Sequence, residues 1–133
     1  MAQCLHQAGL RKTMPRLALA HLLFAAKTTP RHVTAESLFE EAKSANICVS
    51  QATIYNTLNQ FRDAGLLREV VVDHNGGHYF DTNLEAHHHF YIEEEARLID
   101  VPHTQVALGH LPPPPQGYAL DSVDITLRIK SKT

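Results

Sequence analysis

Three histidines stand side by side at His87, His88 and His89, in a chain of 133 residues that holds ten histidines in all. Imidazole is the commonest metal ligand among side chains and a frequent axial ligand to haem iron. Adjacent residues of an extended strand point to opposite faces. If the run is extended, His87 and His89 share one face and His88 takes the other, so the three rings do not easily meet at one ion. One or two of them would serve as haem ligands, with Phe90 and Tyr91 beside them to pack on a porphyrin. The bland alternative is a solvated loop that ligates nothing. An enzyme, such as a zinc hydrolase built on this cluster, is disfavoured. No His-Glu-x-x-His or Gly-x-Ser-x-Gly is present, and nothing supplies a positioned general base or nucleophile.

A second set of residues suits nucleic acid. After Ser50, the residues Ile54, Leu58 and Phe61 recur at helical spacing, and the opposite face carries Gln51, Thr53, Tyr55, Asn56, Asn59 and Arg62. A helix with one buried face can lay the other in a major groove. Gln51 and Asn56 have the donor and acceptor pair that matches adenine, and Tyr55 reaches a phosphate or a thymine methyl. The expected DNA-reading set is Ser50, Gln51, Thr53, Tyr55 and Asn56. Arg11, Lys12 and Arg16 are assigned to the DNA backbone. The rival is a solvated amphipathic helix in an all-helical packing domain.

The elements that must position these residues follow from caps and periodicity. A first helix is predicted over 2–8, stopped by Gly9. Thr13 caps a second, with Pro15 in its first turn and Leu19, Leu22, Leu23 and Ala26 as its apolar stripe. Thr34 caps a third, to about Ala45, with Glu36 at its positive end and Leu38, Phe39 and Ala42 facing inward. Ser50 caps the fourth and Gly65 ends it. Residues 67–73 and 78–82 flank Asn75-Gly76, which predicts a β-hairpin. Helices followed at once by a hairpin give the order of a winged helix, and the hairpin tilts the balance toward DNA.

Further along, 90–92 and 97–101 read as strands joined through 93–96, and 104–111 as a short helix. Residues 112–115, all proline, read as a polyproline spacer. Val123, Ile125, Leu127 and Ile129 alternate with polar residues and predict a half-buried strand. The fold class is therefore α+β. A winged helix-turn-helix domain over 1–83 precedes a small α/β dimerisation and sensing domain over 84–133.

Composition agrees with two small domains of different partners. Residues 1–68 carry eight Lys/Arg against four Asp/Glu, and residues 69–133 carry four against ten. Only the front half is suited to a polyanion. No run of 18 apolar residues is present, and residues 1–12 show no secretory signal. Two cysteines, Cys4 and Cys48, make no disulfide framework, which fits a reducing cytoplasm. Cys4 reads as a spare thiol and Cys48 as packing beneath the helix that Ser50 caps. His21 reads as a packed or edge residue, and His74 and His78 as flanking the hairpin turn.

Several runs carry a resemblance. Thr13-Met14-Pro15-Arg16, the segment His32-Val33-Thr34-Ala35-Glu36-Ser37-Leu38 and the segment Ala52-Thr53-Ile54-Tyr55-Asn56-Thr57-Leu58-Asn59-Gln60-Phe61 resemble the ferric uptake regulator family. The likeness continues through Asp63-Ala64-Gly65-Leu66 and Phe80-Asp81 to the triple histidine. Within that family, His87-His88-His89-Phe90-Tyr91 and the lack of Cys-x-x-Cys are similar to the iron response regulator branch.

The resemblance implies a homodimeric transcription regulator of iron or haem homeostasis that reads an AT-rich palindromic operator, with haem at His87, His88 and His89 disabling it. Tyr55 falls where the family places its main recognition tyrosine, and Asn56 where many members carry arginine. The resemblance also implies the alternative, a repressor that needs divalent iron, manganese or zinc at His32, Asp81 and His88, with Phe90 in place of a fourth ligand. Three ligands and a water satisfy zinc. His87 and His89 belong to a second site whose remote partners are replaced by apolar residues such as Val123, so no cage is expected there. Glu93 and Ala96 stand where the structural cysteine pair belongs, so no four-cysteine zinc site is expected. A haem carrier without DNA binding is a further rival, which the intact helix after Ser50 argues against.

Overall fold

Each described helix of the first part of the chain begins at a hydroxyl side chain. The computed structural model describes residues 9, 11, 13–25, 31–72 and 77–132. The chain divides into two units, Met1–Leu84 and Glu85–Thr133.

In the first unit, Thr13 Oγ1 accepts the Arg16 amide at 3.3 Å and α1 follows as Met14–Phe24, with Pro15 in the turn that needs no amide donor. Thr34 and Ser37 cap one another's backbone amides at 2.9 and 3.0 Å ahead of α2, Ala35–Ser44. Ser50 Oγ accepts the Thr53 amide at 3.1 Å, and α3 runs as Gln51–Asp63. Gly65 then takes φ +80°, a left-handed conformation that favours glycine.

The faces these helices bury form one cluster. Leu19, Ala20 and Leu23 from α1, Leu38 and Ala42 from α2, and Ile54, Leu58 and Phe61 from α3 meet Val33, Leu67 and Phe80. Burial of each large side chain contributes on the order of 1.5–3 kcal/mol. The same contacts fix which face of α3 is left outside. A three-stranded antiparallel sheet completes the unit: β1 is His32–Val33, β2 Arg68–Val71 and β3 His78–Asp81, in the order β1-β3-β2. The predicted hairpin is thus present as strands, while its Asn75-Gly76 turn, the 2–8 helix and Ala26 lie outside the described residues. The two residues of β1 are too few to show an alternating pattern.

The second unit holds β4 (His87–Ile92), β5 (Arg97–Pro102) and β6 (Thr126–Ile129). β4 lies centrally, antiparallel to β5 and parallel to β6. A 3-10 turn over Glu93–Glu95 and a left-handed Ala96, φ 48°, reverse the chain into β5. β4 begins at the histidines, ahead of the predicted 90–92.

Four expectations are corrected. The helix expected over 104–111 is absent, and only a 3-10 turn, His103–Gln105, forms there. Leu108 and Leu111 are 45% and 44% exposed, so no buried stripe supports a helix, and the prolines at 112–115 forbid its continuation. The last strand is confined to Thr126–Ile129, with Leu127 and Ile129 39% and 40% exposed rather than turned into a core. Cys48 is exposed, and Ile47 and Val49 pack against the core instead. His21 is exposed on α1. Among the described residues, no helix is long and apolar enough to cross a membrane.

Candidate nucleic-acid face and metal-ligand groups

The side of α3 opposite Ile54, Leu58 and Phe61 is open. Gln51, Tyr55 and Asn56 are exposed, Tyr55 to 46%. Ser50 and Thr53 are turned to one another: Ser50 Oγ, besides capping the helix, lies 3.0 Å from Thr53 Oγ1. Arg16 Nε donates to Gln60 Oε1 at 3.1 Å, and its Nη1 donates to the Arg11 carbonyl at 3.0 Å. Arg11, Arg16, Thr53, Asn56 and Gln60 thereby line one shallow depression. Lys12 lies outside the described residues. Arg62 is directed elsewhere, donating to Asp63 and Glu69 at 3.0 Å each. Its bond to Asp63, followed by the charge of Glu69, holds the guanidinium above its ordinary range. His78 Nδ1 meets Glu69 Oε2 at 3.1 Å, and His74 is outside the described residues.

The first unit also carries a buried pair. The β1–β3 register sets His32 across from Asp81. His32 Nε2 lies 3.2 Å from Asp81 Oδ2, and Asp81 is wholly buried. Its Oδ1 accepts the Asn83 amide at 2.8 Å. These contacts compensate the carboxylate for its lost water.

The second unit carries a group on its own sheet. His89 and Asp100 are cross-strand partners on β4 and β5, and His87 shares their face two residues away. Asp100 Oδ1 lies 3.3 Å from His87 Nε2 and 3.4 Å from His89 Nε2. One ligand atom from each of the three lies within 4.8 Å of the others. The His87 Nδ1 is 2.5 Å from the Glu85 carbonyl. A carbonyl only accepts, so Nδ1 donates to it, and Nε2 is the ring nitrogen turned toward Asp100. A nitrogen lone pair and a carboxylate oxygen repel unless a cation or a proton stands between them.

His88 behaves differently. It sits on the opposite face of β4, and its Nδ1 accepts the Ile125 amide at 3.2 Å. The structure brings His87 and His89 together with Asp100 and leaves His88 out, although all three histidines are buried. Asp100, on the neighbouring strand, stands beside both His87 and His89. Sequence reasoning did not single out Asp100, because only strand register puts it opposite His89. The available signal was the alternation of β5 once its pairing with β4 is assumed.

The sequence profile of the Ferric uptake regulator family matches residues 7–113. The chain belongs to the ferric uptake regulator family. It is 31% identical over 102 residues to the peroxide-responsive repressor PerR of Staphylococcus aureus, covering 77% of this chain and 66% of that protein. The match thus spans just under two thirds of that relative's length. The fold resembles that of the ferric uptake regulator of Vibrio cholerae, with TM-score 0.73, 22% identity and 98% of each chain covered. It also resembles the ferric uptake regulator of Pseudomonas aeruginosa solved with manganese, with TM-score 0.68, 24% identity, and 98% and 97% of the two chains covered. The mixed α+β class, helical unit first and small sheet second, is therefore that of ferric uptake regulators.

Proposed function

We propose that this chain is a metal-responsive, DNA-binding transcription regulator rather than an enzyme. The first unit reads operator DNA through Gln51, Tyr55 and Asn56, supported by Arg11, Lys12 and Arg16 on the phosphates. Ser50 and Thr53 set the start of the reading helix. The second unit senses the cation and pairs two copies. Exposed Ile99, Leu127 and Ile129 share one face of its sheet, which supports the homodimer. A dimer places two reading helices on half-sites about one DNA turn apart, as a palindromic operator requires. Such a protein works where the DNA is, in the cytoplasm.

The observation that carries the metal reading is the convergence of His87 Nε2, His89 Nε2 and Asp100 Oδ1. Two imidazole nitrogens and a carboxylate suit zinc, iron or manganese. The Glu85 carbonyl fixes His87 in the tautomer that presents Nε2, which is how outer hydrogen bonds orient a ligand. His32 and Asp81 offer a second pair of ligand atoms, on the DNA-reading unit. The family likeness adds His88 to that pair. With Nδ1 accepting from Ile125, His88 ligates only through Nε2. A bound cation supplies positive charge to these carboxylates. It changes operator affinity to the extent that it favours the DNA-competent state, and a coupling of about 1–3 kcal/mol gives roughly 5- to 150-fold.

Haem control, as in the iron response regulator branch, is the second reading and rests on the run His87-His88-His89. Burial of all three side chains, 5%, 7% and 3% exposed, leaves little imidazole face for a porphyrin and puts the divalent cation first.

The test measures affinity for a labelled duplex that the full chain selects from a random pool. The metal reading expects tighter binding with manganese, iron or zinc and weak binding in chelator. Operator binding that ignores these metals and falls on adding haemin would replace it with the haem reading.

A further inference from the structure

A guanidinium offers five N–H bonds. Two of those on Arg16 are committed, Nε to Gln60 Oε1 at 3.1 Å and Nη1 to the Arg11 carbonyl at 3.0 Å. Both contacts lie within the first unit, yet they reach Arg16 from different directions. Gln60 is 44 residues away in sequence and stands on α3, whereas Arg11 precedes the cap of α1. Among the described residues, Nη2 and the second hydrogen of Nη1 have no partner. The depression around them is lined by Thr53 and Asn56 of the same reading helix.

From this arrangement we infer that Gln60 is a positioning residue for DNA recognition. It holds the Arg16 guanidinium so that its remaining N–H bonds face the nucleic acid beside Asn56. The inference rests on the DNA-binding reading above and deepens it. A long arginine side chain samples many rotamers, and binding DNA costs the entropy of selecting one. Fixing Nε before the encounter removes part of that cost. The amide orientation is dictated by the arginine, since Nε–H only donates and Gln60 must present its oxygen. The Gln60 bond also ties the entry of α1 to α3, so the phosphate-contacting end of one helix is registered to the reading face of the other.

The experiment is a double-mutant cycle on the full chain with manganese present, reading affinity for the selected duplex across a salt series. Arg16→Ala should weaken binding and reduce the slope of log affinity against log salt by about one. Gln60→Ala should weaken binding about three- to tenfold with an unchanged melting temperature, because Arg16 keeps its charge but loses its orientation. In the Arg16→Ala background, Gln60→Ala should change nothing further. The inference is overturned if Gln60→Ala binds as the parent does, or if it costs the same factor with and without Arg16, which would make Gln60 an independent contact. A parent chain that binds no duplex at all would overturn the DNA-binding reading and this inference together. Parent binding with independent variants overturns this inference alone.

Discussion

Asp100 Oδ1 stands 3.3 Å from His87 Nε2, the ring nitrogen left facing it once Nδ1 engages the Glu85 carbonyl. A carboxylate oxygen and an imidazole nitrogen held this close in a mostly buried place call for a positive charge, a proton or a metal cation. Asp100→Asn separates the two ways of supplying it. The amide can donate to Nε2, so the metal-free variant should melt no lower than the parent, while the rise in melting temperature on adding manganese or zinc should shrink. In the parent, a cation at 100 times its Kd should add about 2.7 kcal/mol to stability. Scanning fluorimetry with and without metal reads both numbers. An Asp100→Asn chain that gains as much from metal as the parent would remove Asp100 from the site.

The reading face makes a prediction in sequence space. Asn56 presents an amide where an arginine would prefer guanine, so Asn56→Arg should shift the selected operator from adenine toward guanine at one position in each half-site. Such a bidentate pair discriminates by about 1–3 kcal/mol. Selection from a random pool, followed by sequencing, checks it. Tyr55→Ala, at a position 46% exposed, should weaken operator binding with little change in stability.

Ser50 separates folding from contact. Its hydroxyl caps α3 and lies against Thr53 Oγ1. Ser50→Ala should cost about 1 kcal/mol in urea denaturation. Its effect on DNA affinity should be recovered by Ser50→Asp only in part, since aspartate restores the cap but adds a negative charge near the phosphates.

Asp81 is wholly buried with both oxygens engaged, one by His32 and one by the Asn83 amide. Asp81→Ala leaves the amide unpaired and should destabilise the first unit by about 1–3 kcal/mol. Asp81→Asn keeps the acceptor for Asn83 and should cost less. Urea denaturation of both variants in chelator checks the order, and equal losses would contradict it.

The parts of this fold legible in the sequence are those fixed by neighbours along the chain. Thr13, Thr34 and Ser50 announce their helices because a cap acts over three residues, and Ile54, Leu58 and Phe61 declare the buried face of α3 by spacing alone. What stayed hidden depends on register or on tertiary context. β1 is two residues long, Asp100 becomes a partner of His89 only when β5 pairs with β4, and Gln60 meets Arg16 across two helices. The apolar residues of 104–111 suggest a helix, but Leu108 and Leu111 stay 45% and 44% exposed and proline follows. The strand splits the three histidines two against one, as alternation along an extended run predicts.

The most direct test of the central claim is the manganese dependence of operator affinity in the parent and in the His87→Ala/His89→Ala double variant, both shown to be folded in chelator. The account predicts that metal tightens parent binding at least fivefold and leaves the double variant at its metal-free affinity. A double variant that responds to manganese as the parent does would contradict it, and would move the sensing site away from His87, His89 and Asp100.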